Sequence, residues 1–242
     1  MFKTLLLLII IIGVLWYFDY HTFWSRIKIG KQLAESSEPA SFIVANPSKS
    51  MLIIGDSTGV GTGASSPETT LAGLLHRDYP KLNIDNKSDD GLKINEVRGV
   101  LDSVNDDYDI ILIHAGGNDI VYFSPLQSIQ HHMTELVREA NFKSKEVIVI
   151  TSGNVGFAPI WPYPLNKLYD TRSQKVLPLI QENVEREGGT FVSLLTTREN
   201  DPFKDALDTY YAEDGLHLSS EGYVVWYESL LDTLSKNNIS LD

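Results

Sequence analysis

Five apolar runs of strand length recur along this chain, at residues 51–54, 82–84, 110–113, 147–150 and 191–195, and each interval between them holds a stretch long enough for a helix. The helical stretches are 66–79, 94–105, 125–142 and 166–187. Runs such as IILI, VIVI and FVSLL do not alternate polar with apolar residues, so neither face of those strands is built to meet water. Strands covered on both faces and separated by crossover helices form a parallel sheet between two helical layers. The expected fold class is therefore α/β, a three-layer α/β/α sandwich with a five-stranded parallel sheet, closed by a last helix over 219–234.

The first 50 residues lie outside that rhythm. After Lys3, residues 4–18 (TLLLLIIIIGVLWYF) run for fifteen positions without a charge. That length falls between a signal peptide and a spanning helix, at the edge of the ~17–25 residues a bilayer needs. The run ends in Trp16, Tyr17 and Phe18 and is followed by Tyr20, Phe23 and Trp24, where a cleavable signal has small residues. Aromatic side chains suit a membrane interface, with Lys3 reaching the other one. Residues 1–24 are thus expected to be a signal anchor or transmembrane helix, 25–48 a polar linker, and 49–242 the folded domain. The expected location is membrane-anchored with the domain on the extracytoplasmic side. A formal charge of -12 disfavours nucleic acid as a partner, because the long-range field repels a phosphate backbone. With no cysteine, disulfides and thiolate chemistry are excluded.

In an open parallel sheet, ligands bind beyond the carboxyl ends of the strands. Three of those ends carry reactive or polar groups. The first run ends in Gly55-Asp56-Ser57-Thr58-Gly59, whose glycines permit a sharp turn exposing a hydroxyl. The third ends in Gly116-Gly117-Asn118-Asp119, bringing a side-chain amide able to donate to a developing oxyanion. Near the C-terminus, Asp214 and His217 lie three residues apart, so one short loop can present an imidazole and the carboxylate that orients it.

At these residues the chain resembles the SGNH or GDSL family of serine hydrolases. The matching blocks are Gly55-Asp56-Ser57, then Gly91, then Gly116 with Asn118 and Asp119, and last Asp214 with His217; together they span about residues 51–227. The resemblance implies the flavodoxin-like SGNH hydrolase fold and a catalytic set of Ser57, Asp214 and His217. It implies an oxyanion hole made by the Ser57 N–H, the Gly91 N–H and the Asn118 side chain. It implies no metal or organic cofactor. Leu218 stands where the family often has proline after the histidine. The implied activity is hydrolysis of a carboxylic ester or thioester by a membrane-tethered, lysophospholipase-like esterase. An O-acetyl esterase acting on envelope polysaccharide is an alternative, and a catalytically inactive tethered binding protein is another. The partner is then a small-molecule or lipid acyl ester, besides the membrane.

Competing readings of single features are weaker. Gly59, Gly61 and Ala64, with Asp85 after the second run, fit a dinucleotide-binding spacing, but Gly59 stands five residues past Ile54 and the reading leaves Asn118 and His217 unused. His114 is expected to be a hydrogen-bonded core residue. His131, His132 and Glu135 are read as a solvated helix face, not metal ligands. The loop 156–165 (GFAPIWPYPL) carries Phe157, Ile160, Trp161 and Tyr163 at the active edge and is a candidate acyl-binding wall.

Overall fold

The computed structural model describes residues 2–242, with side chains in the first helix from residue 17 onward except residue 18. Helix α1 (Phe2–Ser36) precedes β1 (Lys49–Gly55), the short α2 (Ser57–Val60), α3 (Leu71–Asp78) and β2 (Leu82–Asn86). Next come α4 (Ile94–Asp102), β3 (Tyr108–His114), α5 (Gly117–Val121), α6 (Leu126–Lys143) and β4 (Ser144–Ile150). The chain ends with α7 (Leu165–Arg186), β5 (Thr190–Val192), α8 (Leu207–Tyr210) and α9 (Ser220–Lys236). All five strands pair in parallel in the order β2-β1-β3-β4-β5.

Side-chain alternation sorts the strands onto two cores. Leu52, Ile54, Ile111, Ile113, Val147 and Val149 face α4, α6 and α7, which contribute Val97, Met133, Leu136, Val176 and Ile180. Met51, Ile53, Ile110, Leu112, Ile148 and Ile150 face α3 and α9, with Leu74, Leu75, Tyr223, Trp226 and Leu230. The unbroken apolar runs are thus explained by burial on both sides, and the three-layer sandwich is the architecture expected.

Two stretches differ from expectation. β5 stops at Val192 instead of continuing to residue 195. As an edge strand it is held only by β4, over three residue pairs, and Ser193 and Leu194 leave the sheet. Residues 25–48, expected as a polar linker, are helical as far as Ser36, and Phe23 and Ile27 pack on the core. Beyond the helix, Phe42 bridges antiparallel to Ile84, and Asn86 N donates to Ser41 Oγ. Residues 41–44 therefore run along the open edge of β2, giving its backbone the partners an edge strand lacks. No helix among the described residues is long and apolar enough to cross a membrane. The apolar run 4–18, expected to be an anchor, lies apart from Tyr17 outside the residues whose side chains are described.

The backbones of β1 and β3 approach so closely at their carboxyl ends that a Cβ on Gly55 would sit 2.2 Å from His114 O. Gly55→Ala is expected to destabilise the fold by about 1–3 kcal/mol, the cost of overpacking. Gly99, exposed on α4 with open space around it, is the control: Ala there is expected to stabilise by up to ~1 kcal/mol through helix propensity. Urea melts of both variants test this, and similar responses would refute the close-approach argument.

Candidate active site

The strand order reverses between β1 and β3: from β1 the chain crosses to β2 on one side and then to β3 on the other. Such a switch point opens a crevice beyond the strand ends. Ser57 enters it as the first residue of α2. Asp56 caps that helix, its carboxylate accepting from Thr58 N at 3.0 Å, and its own N–H donates to His114 O at 3.0 Å. The turn is braced from the β2 side as well. Asn86 Nδ2 donates to Gly59 O at 2.8 Å, Asp89 N to Gly55 O at 3.0 Å, and Thr62 Oγ1 to Asp90 Oδ1 at 2.8 Å.

Between α8 and α9, a reverse loop closed by the Tyr211–Leu218 bridge carries Asp214 and His217. Asp214 Oδ1 accepts from the N–H groups of Leu216 and His217, each at 3.0 Å, and Oδ2 lies 2.5 Å from His217 Nδ1. On the far side of the ring, His217 Nε2 lies 3.1 Å from Ser57 Oγ. Burial raises the Asp214 pKa, but the hydrogen bond and charge of His217 with the two N–H groups more than offset it, leaving the carboxyl below its ordinary value. An ionised carboxylate can only accept, so Nδ1 carries the proton and Nε2 is free to accept one from the hydroxyl. Asp214 is fully buried, which shields this chain of bonds from water. Leu218, in place of the family's proline, is buried in the α9-side core.

Ser57, Asn118 and His217 share one cleft of about 200 Å³. Asn118 Nδ2 donates to Leu92 O at 3.1 Å, which fixes the amide and leaves its second hydrogen uncommitted. Gly91 is exposed, at φ +77°, in the loop after β2, and is not among the residues lining the cleft. Asp119 is buried beneath Asn118, where Oδ2 accepts from Ile94 N at 3.0 Å, so it holds the start of α4. Ser152, Gly153 and Asn154, which follow β4, also line the cleft. Sequence reasoning passed over them because none is a strong nucleophile, base or charge; their place at a strand end was the available signal. The loop 156–165 divides: Phe157 lines the cleft, Ile160 and Trp161 belong to the core, and Tyr163 is exposed.

The remaining candidates have other work. A Cβ on Gly59 or Gly61 would strike the Ser88 or Thr70 side chain at 2.3 or 2.2 Å, so both glycines serve close packing. Asp85 accepts from Tyr108 OH at 2.7 Å and pairs with Lys87 at 3.3 Å. His114 is a buried core residue, yet its Nε2 has no hydrogen-bond partner, unlike the bonded state expected of it. Among the described residues no group of side chains is arranged to hold a metal ion; Glu135 pairs with Arg138.

The profile of the GDSL-like Lipase/Acylhydrolase family matches residues 53–225. The chain is 25% identical over 186 residues to a GDSL-like esterase of Mycobacterium tuberculosis, a match covering 72% of this chain and 58% of the length of that relative. Among solved structures it resembles a member of the lipolytic G-D-S-L family from Veillonella parvula, with a TM-score of 0.61 and 15% identity over 77% of this chain and 98% of the other. It also resembles an acetylxylan esterase from Geobacillus stearothermophilus, with a TM-score of 0.56 and 18% identity over 78% and 95% of the two chains. At these identities the structural likeness is one of fold.

Two buried groups beside Ser57 titrate in opposition. Burial pushes the Asp56 carboxyl up from 3.8 to about 6, against the hydrogen bonds from Thr58, and pushes His114 down from 6.5 to about 3. The folded chain keeps a proton on Asp56 that the unfolded chain releases, so this contribution is full below 3.8 and lost as pH rises through 6. His114 stays neutral when folded, so its contribution is full above 6.5 and lost as pH falls toward 3. Between pH 4 and 6 the two slopes, each about 1.4 kcal/mol per pH unit, oppose each other. Asp56→Asn keeps the helix cap and removes one of them. Relative to the wild type, its unfolding free energy is expected to fall as pH drops from 6 to 4; a constant difference across urea melts at pH 6, 5 and 4 would count against the assignment.

Proposed function

Because the chain belongs to the GDSL-like lipase/acylhydrolase family, we propose that it hydrolyses carboxylic esters or thioesters with Ser57 as nucleophile, His217 as general base and Asp214 orienting the imidazole. The observation that carries the reading is the continuous line from buried Asp214 through His217 to Ser57 Oγ, with contacts of 2.5 and 3.1 Å. Ser57 Oγ attacks the acyl carbon while its proton passes to His217 Nε2. The imidazolium then protonates the leaving alcohol or thiol, and an acyl ester forms on Ser57. Water, deprotonated by the same nitrogen, attacks that ester and releases the acid. Asp214 stays ionised throughout and stabilises the imidazolium.

In this reading the oxyanion accepts from three donors. The Ser57 N–H sits at the first position of α2, where a helix supplies no acceptor. Asn118 offers its free Nδ2 hydrogen; the Gly91 N–H, in the loop after β2 and outside the cleft lining, has to move in with the substrate to serve as the third. Hydrogen bonds in place before the charge develops are worth most to the transition state.

The acyl group is short. A cleft of about 200 Å³ is smaller than the ~300–1,000 Å³ sites that enclose drug-sized ligands, which suits an acetyl-sized group with the alcohol side left outside. An O-acetyl group on an envelope polysaccharide fits that size. A lysophospholipid is the second reading, favoured by the apolar run 4–18 and by Phe157 and Trp226 in the cleft wall. The intact hydrogen bonds from Ser57 to Asp214 weigh against an inactive binding protein. We further assign residues 4–18 as a membrane tether with the catalytic domain on the extracytoplasmic side, supported by the aromatic residues that follow the run.

A fluorophosphonate is expected to label the wild type and not Ser57→Ala; equal labelling would overturn the nucleophile assignment. Asn118→Ala is expected to lower kcat by about 10²–10³-fold, the cost of one oxyanion donor. Across acetyl, octanoyl and palmitoyl esters, kcat/KM is expected to fall with chain length, and the opposite order would favour the lysophospholipid. Carbonate extraction is expected to leave the full chain in the membrane pellet, and an N-terminus found after about residue 20 would refute the uncleaved tether.

A further inference from the structure

Helix α1 packs against the loop that carries Asp214. A Cβ on Gly30 would lie 2.8 Å from Asp214 Oδ2, the oxygen bonded to His217 Nδ1. One turn earlier, the Arg26 guanidinium donates to Pro159 O and lies 3.2 Å from where a Cβ on Gly215 would stand. Gly215 O in turn accepts from Ile160 N at 3.0 Å, so Arg26 touches both loops at the point where they are tied together. Phe23, with its ring 6.1 Å from that of Trp161, continues the same face. Positions 23, 26, 27 and 30 share one stripe of the helix. Glycine inside a helix is poorly favoured, and here its missing side chain is what admits the carboxylate.

Resting on the triad reading above, we propose that α1 is part of the catalytic apparatus, with Gly30 and Arg26 as positioning residues that seat Asp214 against His217. Gly30 supplies a flat backbone surface over the carboxylate, and Arg26 pins the 158–161 and 212–217 loops to the helix. A side chain at position 30 must displace Oδ2, and the bond to His217 Nδ1 absorbs the displacement.

The test uses the full chain in detergent. Gly30→Ala and Gly30→Val are compared with the wild type and with Lys31→Ala, a substitution on the exposed side of α1. On a soluble acetyl ester, kcat is expected to fall about tenfold for Gly30→Ala and roughly a hundredfold for Gly30→Val, the scale of a sub-ångström to ångström misplacement, with KM nearly unchanged. The acid limb of the kcat/KM profile is expected to move to lower pH, because a poorly seated Asp214 stabilises the imidazolium less. Thermal stability of Gly30→Ala is expected to hold, since alanine favours helix. Arg26→Ala is expected to slow kcat, and Arg26→Lys, which can still donate to Pro159 O, to recover most of it. If the Gly30 variants do not fold, the Arg26 pair decides by the same readouts. Wild-type kcat and pH profile in the folded variants would overturn the proposal, as would losses confined to KM. Ser57→Ala is run alongside: if it remains active, the triad reading fails and this proposal with it. If it is inactive while the Gly30 and Arg26 variants behave as wild type, only the role of α1 fails.

Discussion

β1 and β3 lie parallel and adjacent, with Ile54 beside Ile113 and Gly55 beside His114. That register brings the first residues after each strand to one edge, so Ser57 and Asn118, 61 positions apart in the chain, open into the same crevice. The contact is tight because Gly55 has no side chain, and Asp56 N closes it by donating to His114 O. Everything else at the site is referred to this junction. The β2 loop braces the turn from one side, and the Asp214–His217 loop reaches it from the other.

Three buried aspartates near the crevice meet two different fates, and the partners of each decide which. Asp56 has Thr58 as its hydrogen-bonding partner, so burial wins and its carboxyl rises to about 6. Asp119 accepts from Ile94 N yet is still pushed upward by burial. Asp214 has two N–H groups and an imidazole, and these overcome the same penalty. Desolvation raises all three, and only in Asp214 do the donors outweigh it and bring the carboxyl below its ordinary value. That carboxylate is the one bonded to the histidine.

Much of this could be read from the residues. The strands were legible because burial on both faces leaves an unbroken apolar run, and Ser57, Asn118, Asp214 and His217 because their chemistry sits at strand ends or in one short loop. Other features were hidden for physical reasons. Residues 25–36 have no strong apolar stripe: Phe23, Ile27 and Leu33 are interrupted by Arg26 and Gly30, whose value lies in what they touch. β5 ends early because pairing, not composition, sets the limit of an edge strand. Gly91 was marked by its block, yet it stands exposed in a loop and outside the cleft lining. Ser152 to Asn154 carry no strong chemical signature, and only the topology brings them in.

The hydroxyl of Ser57 and the imidazole of His217 are separated by 160 positions, and Gly30 lies farther still from Asp214 along the chain. During synthesis the N-terminal helix and the serine turn emerge long before the loop that completes their contacts. A nascent chain holds its serine turn without the facing imidazole until the loop of Asp214 and His217 has left the ribosome. These are among the longest loop closures the fold can make, and such contacts form late. The crevice would then be assembled only after the chain has been made past residue 217.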